Sequence, residues 1–430
     1  MTSVTNGGGQ TAVSTKLDPT ATLSARARRV GAAYAGPGAG SDVPVGERPP
    51  VAFTAGLPDP AIHPTREILE ATAAVLASDA DGALQYGGAQ GFAGLREWLA
   101  AHWSTVDGLP LTADHFTLTN GAAGALANVC DTYLNDGDAV IVEEFSFPGS
   151  VRAIRAATPH VRTVPVDGDG LDVDALASLL QRLDRAGTPA RMLYTIPTFQ
   201  NPTGSTLDAD RRRELVELCA RHRVLIVEDA AYAELPFHDG LPASLYSLTG
   251  GANVVRIGTA SKIVAPGLRV GWCQAAPEVI GALVATRPDM GTSPLTHRVV
   301  AELATSGFLD RHIVQAREHY AHKSRIMLEA LTRHCGEVAS WNDPDGGFFV
   351  WATLADSIDP SRLAALTAEE GVSYVGGQVF VSDAEPESTA WRHWTPGESR
   401  YLRLAFSYVA ESSIAEGIAR LGRALDRARR

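Results

Sequence analysis

Lysine is nearly missing from this sequence. Lys16, Lys262 and Lys323 are the only three among 37 basic residues in a chain of 430, so arginine supplies almost every cation. Cysteine is scarce as well, and Cys130, Cys219, Cys273 and Cys335 stand far apart. Such spacing offers neither a disulfide framework nor a CxxC zinc site, so no metal is expected and a reducing, cytoplasmic setting is the simplest home. No apolar run is long enough to cross a bilayer, and the opening MTSVTNGGGQTAVSTKLDPT has no apolar segment of the signal-peptide kind. Positive charge is in deficit: 37 basic residues against 49 acidic ones give a formal charge of −12. That balance argues against a nucleic-acid partner and against a polybasic membrane patch.

What is present has the composition of an ordinary soluble globular protein, with 45% hydrophobic and 20% charged residues. The length exceeds what one compact core uses, so two domains are expected. Residues 1–20, rich in Gly, Thr and Ser, read as a disordered tail. ATLSARARRVGAAY has helical character, and GPGAGSDVPVGERPP returns to loop. From about residue 115, short β-branched runs alternate with helical stretches. Strands are expected at 116–119, 139–143, 162–166, 192–196, 224–228, 254–258 and 270–274. Between two of them, DADRRRELVELCARH places Leu215, Leu218 and Cys219 on one helical face. This alternation implies an α/β fold with a mostly parallel, seven-stranded sheet covered on both sides. After about residue 325 the pattern becomes a smaller α+β unit: a helix, GGFFVWATL as a strand, VSYVGGQVFV, RYLRLAFSYV, and an amphipathic last helix from about Glu411.

In such a sheet, ligands gather beyond the carboxyl ends of the strands. FTLT is followed by NGAAGALANV, a small-residue turn opening a helix. The backbone N–H groups of Gly121, Ala122 and Ala123 can cradle an anion there, although a plain helix start explains the same letters. MLYTI runs into PTFQNPTG, with Asn201 in a turn, a position Asn also takes for local hydrogen bonding. VLIVE delivers Asp229, a carboxylate that burial penalises unless it finds a partner, with Tyr232 close behind; capping of a following helix is the blander explanation. The densest stretch is RIGTASKIVAPGLRVGW, which holds Thr259, Ser261, Lys262 and Arg269 within eleven residues between apolar flanks. A lysine kept where arginine serves elsewhere points to chemistry that needs a neutral primary amine. An anion cradle, a neutralisable lysine, a buried carboxylate and hydroxyl donors together suit an aldehyde cofactor with a phosphate and a ring nitrogen, pyridoxal 5′-phosphate (PLP).

From about Ala52 onward the chain resembles the class I/II aminotransferases of PLP fold type I. Within them it is most similar to the branch of 2-aminoadipate- and kynurenine-type aminotransferases and the aminotransferase-like domains of certain bacterial regulators. The likeness is carried, in the family's order, by FTAGLPDP, LQYGGAQGFAGLREWLA, TNGAAGAL, YTIPTFQNPTG, VEDAAYAEL, TASKIVAPGLRVGW, DGGFFVW and YLRLAFSYV. The resemblance implies a large PLP-binding domain over 61–324, a small C-terminal domain over 325–430, and a segment over 21–60 that joins the small domain. It implies that Lys262 bonds the cofactor and then moves the substrate's Cα proton. Asp229 would face the pyridine nitrogen, Asn201 and Tyr232 the phenolic oxygen, and Phe147 the ring face. Gly121, Ala122, Ala123, Thr259, Ser261 and Arg269 would hold the phosphate. Tyr86 of LQYGG would reach the phosphate of a neighbouring subunit, which implies a homodimer with shared sites. Arg403 of YLRLAF would grip the substrate α-carboxylate with two parallel N–H bonds, with Asn201 and Gly56 beside it.

The chain departs from the family pattern in three places. Relatives often read Ser-Gln where Ala122 and Ala123 stand, which leaves the backbone alone on the phosphate. Phe147 replaces a common tyrosine, keeping the stacking surface without the hydroxyl. Thr259 replaces the first serine of a Ser-x-Ser-Lys run. The function implied is transfer of an amino group between an L-amino acid and a 2-oxo acid in two half-reactions. A PLP-dependent β-lyase, decarboxylase or oxidase uses the same fold. A PLP- or amino-acid-sensing regulator domain is the non-catalytic alternative, disfavoured by the charge of −12. The branch points to 2-aminoadipate, aromatic or branched substrates, and no stretch encodes which.

Overall fold

The computed structural model describes residues 19–30, 49–382 and 399–429; nearly all of the tail over 1–20, and most of GPGAGSDVPVGERPP, lie outside them. All seven expected strands form, and they form one sheet: β1 (Phe116–Asn120), β2 (Ala139–Glu143), β3 (Val161–Val164), β4 (Ala190–Thr195), β5 (Leu225–Asp229), β6 (Val254–Thr259) and β7 (Val270–Gln274). Their spatial order is β1-β7-β6-β5-β4-β2-β3. Only β7 runs against its neighbours; the other pairings are parallel. Near-continuous apolar runs suit strands buried on both faces, and every residue of β2 and β6 is buried. The third strand ends at Val164 rather than 166, because Pro165 has no N–H to continue the ladder. Val166–Asp167 pairs instead with Gly170–Leu171 in a separate ribbon.

The helix Ala209–His222 buries Leu215, Leu218 and Cys219, as their spacing predicts, together with Val216. The Asp208 carboxylate starts it, accepting from the N–H groups of Asp210 and Arg211 at 2.8 and 2.9 Å.

A second sheet of four antiparallel strands comprises β8 (Ala339–Trp341), β9 (Phe349–Leu354), β10 (Val375–Gly376) and β11 (Tyr401–Ala405), in the order β8-β9-β11-β10. The final helix, Glu411–Arg427, begins where expected and buries Ile414, Ile418, Leu421 and Leu425 at helical spacing. The helix Phe308–Cys335 runs unbroken for 28 residues, so position 324/325 falls inside a rod shared by both units. Near the N-terminus, Val51–Ala52 pairs with Val372–Ser373, and the Ala405 N–H donates to Phe53 O. This lays residues 51–56 along the second sheet and aims Gly56 at the first. Lys323, fully buried on the long helix, secures that path by donating to Asp59 Oδ2 and Ser407 O, both at 2.6 Å. Among the described residues no helix is long and apolar enough to cross a membrane.

Candidate active site

Because β1, β2, β4, β5 and β6 run in one direction, their carboxyl ends share one edge of the sheet. Antiparallel β7 begins at that edge. The topology therefore collects Gly121, Phe147, Asn201, Asp229, Lys262 and Arg269 from positions nearly 150 residues apart.

Lys262 lies three residues beyond β6 and is half-buried. Its Nζ donates to Gly56 O at 3.0 Å and stands 5.4 and 5.6 Å from the ring centroids of Tyr232 and Phe348. Burial lowers its pKa from 10.5 to about 8; Arg403 and Arg269 push the same way and Asp229 opposes them. A large share of the amine is thus neutral at mildly alkaline pH. The other basic amine in the described chain, Lys323, is spoken for by Asp59, and Lys16 lies outside the described residues.

Asp229 closes β5 and is buried. Its carboxylate accepts from the Tyr194 hydroxyl at 2.6 Å and from the Ala231 N–H at 3.1 Å. Burial raises its pKa, while these two donors and Lys262 pull it back. The chain turns after Asp229 instead of entering a helix, so capping does not explain the carboxylate. Tyr194 also sits 2.8 Å from Ser150 Oγ; with its own proton given to Asp229, it receives that of Ser150.

Arg403 comes from β11 in the second sheet. It is 5% exposed, and its Nη1 and Nη2 donate to Asn201 Oδ1 (2.9 Å) and Thr54 O (2.7 Å). The guanidinium carbon lies 4.4 Å from the Phe349 ring centroid and 4.7 Å from that of Phe380, so two aromatic faces fix the plane of its fork. Asn201 also bonds the Tyr232 hydroxyl, whose pKa burial drives well above its ordinary value. A Cβ on Gly56 would come within 2.7 Å of the Phe349 ring and 3.8 Å of Arg403 Nη1. Only glycine keeps this approach open.

The anion cradle is equally local. Gly121 takes φ +68° at the start of the helix Gly121–Tyr133, and a Cβ there would meet Arg269 Nη2 at 2.6 Å. Arg269 thereby lies across the helix start, its Nη2 3.4 Å from Asn120 O. The Thr259 and Ser261 hydroxyls are 2.8 Å apart, and the Ser261 N–H donates to Thr259 Oγ1. Ala122 and Ala123 occupy the first turn with apolar side chains, so only their N–H groups can serve an anion. Phe147 precedes the helix Pro148–Ala157 and is 38% exposed. Tyr86 stands apart, 80% exposed, and its side chain bonds none of these residues within its own chain.

Tyr194, Thr54, Phe349, Phe380 and Glu143 also line or support the site and are not among the residues expected from the sequence. Glu143 closes β2 as Asp229 closes β5, so the reasoning that picked out Asp229 applied equally to it. Tyr194 lies within a strand, where an aromatic reads as core, and carried no separate signal.

A family model described as aminotransferase class I and II matches residues 51–420. The chain is 34% identical to the aromatic-amino-acid aminotransferase 1 of Thermococcus litoralis, over 86% of this chain and 87% of that protein. It is also 34% identical to the 2-aminoadipate transaminase of Thermus thermophilus, over 88% and 91%. Its structure matches that of a multiple substrate aminotransferase from Thermococcus profundus with a TM-score of 0.84 at 30% identity, covering 96% of this chain and 99% of that one.

Proposed function

The chain belongs to the class I and II aminotransferases, and from that premise we propose that it uses PLP, held at the carboxyl edge of the large sheet by the residues assembled there. As a member of that family it moves an amino group between an amino acid and a 2-oxo acid. The observation that carries the cofactor assignment is Lys262: a primary amine whose pKa falls to about 8, between a buried carboxylate and a buried guanidinium. The surroundings fit an aldehyde with a phosphate and a ring nitrogen. Asp229 is a buried carboxylate whose raised pKa a protonated ring nitrogen would reverse. Gly121 leaves no room for a Cβ beside Arg269, which keeps the helix start free for a phosphate.

When bound, PLP supplies an electrophilic carbon and a ring that delocalises the electron pair left at Cα. The chain's residues do the rest. The Lys262 Nζ would hold the cofactor through its electrophilic carbon and, once the substrate amine has taken its place there, would carry the Cα proton to that same carbon. Asp229, oriented by Tyr194, keeps the ring nitrogen protonated. Asn201 and Tyr232 donate to the phenolic oxygen, and Phe147 covers the ring. Thr259, Ser261, Arg269 and the N–H groups of Gly121, Ala122 and Ala123 hold the phosphate. Arg403 would bind the α-carboxylate and so orient the Cα–H bond for cleavage, while Gly56 leaves it space. We assign residues 61–324 to the PLP-binding domain, and 325–430 with 51–60 to the small one; Ala25–Val30, expected with the small domain, instead meets the large one, where Arg29 donates to Arg155 O and Ala156 O. Exposed Tyr86 serves a second copy of the chain in a cytoplasmic homodimer. Aromatic amino acids and 2-aminoadipate, named for the relatives, are the first donors to try.

The test is the visible absorption of protein loaded with PLP. An amino donor should abolish the bound-cofactor band and a 2-oxo acid should restore it, while Lys262→Ala shows neither change. A band that no amino acid alters would refute the reading.

A further inference from the structure

Glu143 lies at the end of β2 with 1% exposure, and in the reading above it touches neither cofactor nor substrate. Its Oε1 accepts from Thr195 Oγ1 (2.6 Å) and the Ile196 N–H (3.1 Å); its Oε2 accepts from Gln200 Nε2 (2.9 Å). Gln200 then acts as a strut. The same Nε2 donates to Phe145 O at 2.6 Å, and Gln200 Oε1 accepts from the Thr203 N–H (2.8 Å) and Thr203 Oγ1 (2.9 Å). Thr203 Oγ1 in turn meets Ser205 Oγ at 2.8 Å. Two strand-end loops are thereby fastened together: the one after β2, which carries Phe147, and the turn after β4, which carries Asn201. Asn201 then fixes Arg403.

We propose that Glu143, acting through Gln200, is a positioning residue that sets the Asn201 turn against the Phe147 loop and so aligns Arg403 for the substrate carboxylate. The inference rests on the assignment of Asn201 and Arg403 made above. The device works when the carboxylate is ionised, because all its bonds are acceptances; a proton on Oε2 would set O–H against the Gln200 N–H. Burial raises the Glu143 pKa to about 7, and the charge of Asp229 on β5 adds to that rise, against the pull of its three donors. Tyr194 on β4 feels the Glu143 charge as well, and the Arg155 Nη2 on Pro148–Ala157 is turned to Ser382 O.

The experiment uses PLP-loaded enzyme with Glu143→Gln and Gln200→Ala, measuring KM for an amino donor and the position of the cofactor's visible band from pH 6 to 9. In the wild type KM should climb as pH falls through about 7. In E143Q it should stay at the high value throughout, about tenfold above the wild type at pH 8, with kcat changed less. The band should shift, because Asn201 touches the cofactor's phenolic oxygen. Gln200→Ala should reproduce both effects from the other end of the strut and decides the matter if E143Q does not fold. Wild-type KM and band in both variants would overturn the inference. Arg403→Ala separates the two levels: if it too leaves KM unchanged, the assignment of Arg403 has failed instead.

Discussion

Arg403 is asked to do two things at once, and substitution separates them. Its fork bonds Asn201 and Thr54 between two aromatic rings, leaving its orientation settled before substrate arrives. Its charge also helps depress the Lys262 pKa. Arg403→Lys keeps the charge but loses one of two parallel bonds to a carboxylate. A hydrogen bond to a charged group contributes about 1.5–3 kcal/mol, so KM for the amino donor should rise roughly 10- to 100-fold. The pH at which apoenzyme captures PLP at half its maximal rate, a readout of neutral Lys262, should stay near 8. Arg403→Met should raise KM at least as much and move that midpoint upward as well, toward 10.5. Both variants leave Asn201 Oδ1 and Thr54 O short of a donor, a cost of about 1–3 kcal/mol, so melting curves must show that each is folded at the assay temperature. Wild-type KM in Arg403→Lys would refute the carboxylate grip. An unmoved midpoint in Arg403→Met would refute the electrostatic coupling.

Two further outcomes follow from the same geometry. Tyr194→Phe removes a 2.6 Å donor from buried Asp229; PLP affinity, measured by equilibrium dialysis, should fall about tenfold while the fold persists. Lys262 also marks the pH dependence of stability in the apoenzyme. With a pKa near 8 folded and 10.5 unfolded, the unfolded chain binds more protons across that window, so this group's contribution to stability rises with pH there. The full span corresponds to about 3 kcal/mol, and partial exposure reduces it to roughly 1–2 kcal/mol. Lys262→Met apoenzyme should therefore melt above the wild type at pH 8, with the gap closing toward pH 10.5.

The large sheet was legible because each of its strands is a short apolar run ending in residues that do something else. Only Pro165 shortened one of them, by removing a ladder donor. The small unit was harder to read. Val375–Gly376 and Val372–Ser373 are two residues each, belong to different sheets, and exist through partners far away in sequence. The helix Phe308–Cys335 carries no punctuation at 324/325 because it continues through it. At the site, motif residues such as Lys262 and Asp229 announced themselves by type and position. Tyr194, Thr54 and Phe380 did not, since a core tyrosine, a backbone carbonyl and a packed ring acquire their roles only from what the fold sets beside them.

Borohydride reduction of PLP-loaded enzyme, followed by peptide mapping, tests most directly whether Lys262 bonds the cofactor. The chain has just three lysines to choose among. The pyridoxyl mass should appear on the peptide containing Lys262 alone, with Lys16 and Lys323 unlabelled. Label on Lys323, or none on Lys262 under conditions where the visible band is present, would contradict the assignment.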